Sequence, residues 1–166
     1  MQKITPHLWY TDNAAEAAKF YTSIFPNSRI DRVTPLASDS PSGPAESVEM
    51  VEFTLFGQSF MAISAGPLDP FNHAVSLVVN CDTQEEIDRY STALLAGGSA
   101  EPCGWLKDKY GVSWQIVPAE LGDMMADKDR QRAKRVSEAM LQMTKFDIAA
   151  LRSAFDGERV RSGSKR

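Results

Sequence analysis

Residues Val48–Ser64 read VEMVEFTLFGQSFMAIS, and Cys103–Pro118 read CGWLKDKYGVSWQIVP. In the first, Val51, Phe53 and Leu55 alternate with polar neighbours up to a turn at Gly57-Gln58, and apolar residues resume from Phe60 to Ile63. A period of two on both sides of a glycine turn predicts a β-hairpin with one buried face. In the second, Cys103–Leu106 and Val112–Val117 flank the turn Lys107–Gly111 and predict another hairpin.

Similar elements precede both hairpins. Ile4–Tyr10 is β-prone. Asn13 and Glu16 then form a capping box for a helix whose apolar stripe is Ala14, Ala17, Ala18, Tyr21, Ile24 and Phe25. Pro26-Asn27 ends that helix, and Ser38–Glu46, rich in Pro and Gly, reads as a mobile loop. Ahead of the second hairpin, Ala74–Asn80 reads as a strand. Asp82 or Thr83 caps a helix, with Glu86 completing the box, and Ile87, Tyr90, Leu94 and Leu95 form its stripe. Gly97-Gly98 supplies a left-handed stop. Leu8, Glu16 and Tyr21 recur at one constant offset as Leu77, Glu85 and Tyr90. The matched order indicates an internal duplication.

The matched order gives α+β as the expected fold class, with two repeats of strand, helix and hairpin followed by C-terminal helices. The halves span about 3–65 and 72–118, joined through Gly66–Pro70. A helical extension over 119–157 carries helices at Glu120–Met125, Asp129–Met143 and Asp147–Phe155, the last closed by Gly157. Residues 1–157 are read as a single domain and 158–166 as a flexible tail.

Bulk properties narrow the function. The chain has 166 residues, 43% of them apolar and 24% charged, and a net charge of −4. That size buries a core without a disulfide or metal. The acidic balance argues against nucleic acid as a partner, because phosphate binding needs a concentrated basic surface. Apolar stretches such as Ala74–Val79 are far too short for a membrane span, which takes about 20 residues. The opening residues MQKITPHLWY lack the apolar core of a secretory signal, and Cys81 and Cys103 are the two cysteines, so a reducing cytoplasmic location is expected.

The strings ITPHLWY, NAAEAAKFY, VEFTLFGQSFMAIS, FNHAVSLVV, CDTQEEIDRY, CGWLKDKYGVSWQIVP and AMLQMTKFDIAAL closely resemble the PhnB-like family, whose members carry the label demethylubiquinone methyltransferase-like. The resemblance runs from about Ile4 to Gly157. The family sits in the vicinal oxygen chelate superfamily, beside glyoxalase I, extradiol dioxygenases, bleomycin-resistance proteins and fosfomycin-resistance enzymes. The resemblance implies two βαβββ repeats forming a curved, mostly antiparallel cupped sheet around a cleft for a small molecule, and a homodimer. The methyltransferase label lacks support in the residues: a Rossmann-type cofactor site needs a Gly-rich turn between strand and helix, and Gly97-Gly98 instead ends a helix.

Enzymes of the superfamily hold a divalent metal through His, Glu or Gln. Carried over position by position, the ligands fall on His73, Gln115 and Pro6. Proline cannot ligate, and alternation along the strand is expected to turn the neighbouring His7 outward. His73 and a neutral Gln115 leave the cation's charge uncompensated, so no tightly bound metal is expected. A divalent metal on His73 and Gln115 is the alternative. Cys103 has no neighbouring His in sequence to activate it, and Asp108 opens a tight turn. Trp105 and Met61 are expected as apolar pocket walls and Trp114 as packing behind the sheet, so the pocket expected is His73, Gln115, Met61, Trp105 and Cys103.

The function expected is small-molecule binding without a tightly bound catalytic metal. The alternatives are a metal-dependent lyase, isomerase or transferase acting on a small oxygenated substrate and, behind it, a methyltransferase. A homodimer through Val136, Met140 and Met143 is expected, with no nucleic-acid or membrane partner.

Overall fold

A computed structural model describes residues 3–158; beyond Glu158 the expected tail lies outside the described residues. The chain divides into two compact units, Met1–Pro70 and Phe71–Arg166, with the boundary in the Gly66–Pro70 break.

The first unit contains β1 (His7–Tyr10), α1 (Ala14–Ile24), β2 (Arg29–Pro35), β3 (Glu49–Leu55) and β4 (Gln58–Ser64). Its four-stranded sheet has the order β1-β4-β3-β2, with β1 and β4 parallel and the other pairs antiparallel. The second unit repeats this with β5 (Leu77–Cys81), α2 (Gln84–Leu94), β6 (Ser99–Ala100), β7 (Trp105–Lys107) and β8 (Ser113–Pro118), in the order β5-β8-β7-β6. Here too the outer pair β5 and β8 is parallel and the rest antiparallel. The duplication read from three matched residues is thus present in topology. Tyr21 on α1 and Tyr90 on α2 are both fully buried.

Each helix covers one face of its own sheet. Under α1 lie Tyr10, Val51, Phe53, Phe60 and Ala62, met by Ala14, Ala17, Ala18 and Tyr21. The alanines permit close approach, and buried apolar area of this kind contributes about 25 cal/mol per Å². Under α2 lie Val79, Cys81, Leu106, Trp114 and Ile116, met by Ile87, Tyr90 and Leu94. Three further helices, α3 (Leu121–Met125), α4 (Arg130–Met140) and α5 (Ile148–Asp156), complete the second unit. Phe146 is buried against Gly104 on the α2 side of the sheet, and Gln84 of α2 accepts from Ile148 N and donates to Phe146 O.

Several local expectations need correction. The first hairpin turns at Phe56-Gly57, one residue earlier than expected, with φ of 49° and 80° at the two positions. Asn13 sits at the N-cap of α1 without a side-chain cap; Ser64 Oγ accepts from Ala14 N instead, from fifty residues away. At α2, by contrast, Thr83 accepts from Glu86 N, and Glu86 returns a bond to Asp82 N. Val136, expected on an outward apolar face, is fully buried within its own unit, whereas Met140 and Met143 are half-buried.

Candidate functional site

The sheet face opposite α2 carries the second unit's polar residues. β8 pairs Gln115 with Val78 of β5 on one side and with Trp105 of β7 on the other. The ladder continues one step past β6, where Glu101 N donates to Trp105 O at 2.9 Å. Val78, Gln115, Trp105 and Glu101 therefore form one row across the sheet, with side chains on the same face. Period-two alternation puts Trp114 on the other face, where it is buried, as expected.

His73 stands in the turn before β5, its ring centroid 5.8 Å from that of Trp105 and tilted by 44°. Its Nε2 lies 2.6 Å from Glu101 Oε2. Gln115 Nε2 donates to Ser76 Oγ at 2.8 Å. The fold thus gathers His73, Trp105 and Gln115, and adds Glu101, which sequence reading missed. The signal for Glu101 was positional only, the place opposite Trp105 once the β6–β7 register is known.

Cys103 takes another direction. It adopts φ of 60°, its N–H donates to Met143 O at 2.7 Å, and its Sγ lies 3.8 Å from Met140 O. Gly104 N donates to Thr144 O, so the pair of residues is fastened to the helical extension. Asp108 has the turn role expected of it. Its Oδ1 accepts from Tyr110 N and Val112 N, and its Oδ2 accepts from Trp114 Nε1. Cys81 is buried, and that burial, helped by Glu86 and Asp82, pushes its thiol up to about 12.

In the first unit, Met61 occupies the corresponding place on β4, paired with His7 of β1 and Glu52 of β3. His7 shares the face of Met61 and Trp9, away from α1, while Tyr10 points to the helix; the expected outward orientation of His7 is therefore reversed. A cavity of about 350 Å³ opens beside Met61, and its lining includes Arg29, Asp31, Glu52 and Thr54. Met61 lies beside the ion pairs Arg29 with Asp31 and Arg32 with Glu52, and Phe53 and Phe60 also line the cavity.

The superfamily fold implies a divalent metal. His73 is turned to Glu101, Gln115 is a neutral amide bonded to Ser76, and among the described residues no three His, Cys, Asp or Glu side chains are grouped to hold an ion. The residues of this unit do not fit such a centre.

Residues 2–117 match 3-demethylubiquinone-9 3-methyltransferase, over more than half of the chain. The chain belongs to the 3-demethylubiquinone-9 3-methyltransferase family. A solved PhnB protein of that family from Bacillus cereus is 37% identical, with a TM-score of 0.60, over 71% of this chain and 100% of its own. A protein from Pseudomonas aeruginosa shares 23% identity and a TM-score of 0.55 over 71% of this chain and 98% of its own. The fosfomycin resistance protein FosX from Mesorhizobium loti is 12% identical, with a TM-score of 0.55 over 76% of this chain and 100% of its own, and shares the fold alone. The fold is that of the vicinal oxygen chelate superfamily. No curated protein matches the chain. The family match stops at 117, short of the Gly157 that the sequence resemblance reaches, so α3, α4 and α5 lie beyond it. The connections from β1 to α1 and from β5 to α2, Thr11–Asn13 and Asp82–Thr83, contain no glycine, so neither offers the phosphate-cradling turn of a Rossmann-type cofactor site.

Proposed function

We propose that this chain is a small-molecule binding protein that works without a tightly bound catalytic metal, its ligand resting against His73, Trp105 and Gln115. The observation that supports it is the row Val78–Gln115–Trp105–Glu101, a polar and aromatic strip on the sheet face that α2 leaves uncovered, with His73 beside it. Such sites combine apolar surface with a few placed polar groups that orient the ligand. Met61 marks the equivalent surface of the first unit. The reading includes a cytoplasmic homodimer. Two free cysteines and the absence, among the described residues, of a helix long and apolar enough to cross a membrane agree with it.

Metal analysis of the purified protein tests the proposal. Metal content should be near zero, and His73→Ala should leave it there. Stoichiometric zinc, nickel or manganese held by His73 and Gln115 would refute it in favour of a metal-dependent lyase, isomerase or transferase. S-adenosylmethionine should leave the melting temperature unchanged; a saturable rise would restore the methyltransferase reading.

A further inference from the structure

Glu101 has no counterpart in the expectations drawn from sequence, yet it contributes the one carboxylate of this row. An ionised carboxylate only accepts hydrogen bonds, so the 2.6 Å contact requires His73 Nε2 to carry the proton. With the imidazole neutral the pair has a charge of minus one; with it protonated the pair is neutral. In neither state does it present net positive charge. Gln115 donates its amide nitrogen to Ser76, which leaves Oε1 as an acceptor. The two aromatic rings, Trp105 and His73, meet at an angle beside the carboxylate. Lys107 shares this face two residues along β7, paired with Ser99 and Ser113 in the next row.

Acceptors, a carboxylate and the face of an indole are the chemistry that recognises an organic cation. We propose that Glu101 determines the ligand class of this site: a ligand with an ammonium group on an apolar body, the cation held between Glu101 and the Trp105 ring. The inference rests on reading His73, Trp105 and Gln115 as the ligand face. It goes further by assigning the sign of the ligand's charge and the residue that selects it. Glu101 is a specificity-determining residue, and its carboxylate also orients the His73 ring.

Three probes of one size separate the possibilities: benzylamine, benzyl alcohol and benzoate, titrated into the full chain. The readouts are the NMR signals of the Trp105 indole N–H and the Gln115 side-chain amide. Wild type should bind benzylamine about tenfold more tightly than benzoate, from one exposed ion pair plus one cation–π contact. Glu101→Gln, nearly isosteric, should cut that preference to the roughly two- to fourfold that the cation–π contact alone supplies, with benzyl alcohol measuring any general loss of the face, and added salt should shrink the preference in wild type. Equal binding of benzoate and benzylamine to wild type, or a preference undiminished in Glu101→Gln, would overturn the inference while the ligand face stands. If none of the probes shifts the Trp105 or Gln115 signals, the ligand-face reading fails and the inference fails with it. A thermal melt of Glu101→Gln that matches wild type excludes misfolding as the cause of any loss.

Discussion

Trp114 Nε1 donates to Asp108 Oδ2 at 2.8 Å, joining the last hairpin turn to the strand that carries Gln115. The other carboxylate oxygen closes the turn through Tyr110 N and Val112 N. Asp108 is 4% exposed and Trp114 2%. Asp108→Ala leaves those buried donors without this acceptor, and a loss of about 3 kcal/mol is expected. Asp108→Asn keeps one acceptor oxygen and should lose less. Urea unfolding followed by tryptophan fluorescence checks the ranking; equal losses for the two variants would show that the charge, not the geometry, is what matters.

Gly104 is the second sensitive point. Its φ is +75°, and a Cβ there would stand 2.4 Å from Phe146 Cε2 and 2.8 Å from Ile116 O. Gly104→Ala should cost roughly 2–4 kcal/mol from left-handed backbone strain and overpacking. Phe146→Ala in the same chain should recover only part of this, because the Ile116 carbonyl remains. A double-mutant cycle on melting temperatures measures the coupling.

Cys81 carries a pH dependence whose sign follows from burial. Its pKa rises from 9.0 to about 12 in the folded state, so above pH 9 the unfolded chain loses this proton first. Stability attached to the protonated thiol is complete below pH 9 and declines as pH rises from 9 towards 12, with a limiting slope of about 1.4 kcal/mol per pH unit. Cys81→Ala should flatten the alkaline limb of the stability curve relative to wild type. In the native protein Cys81 should also resist alkylation at pH 8, as mass spectrometry of digested samples would show.

The homodimer we propose is tested by light scattering at micromolar concentration, where a mass of two chains is expected. With Val136 buried, the outward apolar surface at this end of α4 reduces to Met140, Met143 and Leu141, the last 61% exposed. Leu141→Glu should move the mass towards one chain, while the unfolding free energy of the monomer itself changes by no more than about 0.5 kcal/mol, as for a surface change. An unchanged mass of two chains in Leu141→Glu would place the contact elsewhere.

Much of the fold was legible because its signals are local. Thr83 and Glu86 announce α2, Asp108 announces its turn, and alternation announces β3, β4 and β8. β2 was not found: it is an edge strand bulged at Asp31, exposed on nearly all its residues, so Arg29, Asp31 and Arg32 hide any alternation. β6 has only two residues. The Asn13 capping box failed because Ser64, distant in sequence, takes its place. At the site, Trp105 and Gln115 share a face by strand parity, which sequence shows. The Glu101 contact depends on the β6–β7 register, and His7 was misplaced because its facing follows from the pairing with Met61.

The helical extension sets an order of events in synthesis. The first unit closes its own network by residue 66, where Gly66 N donates to Thr11 O. The second unit cannot do so until the end of the chain has emerged: Gln84 waits for Ile148, 64 residues later, and Asp88 for Lys145. Contacts of long sequence separation form late. A ribosome halted after residue 118 would thus hold a finished first unit and a second one whose Cys103 and Gly104 amides still lack the carbonyls of Met143 and Thr144. That nascent half, not the finished protein, is where chaperone dependence and aggregation should concentrate.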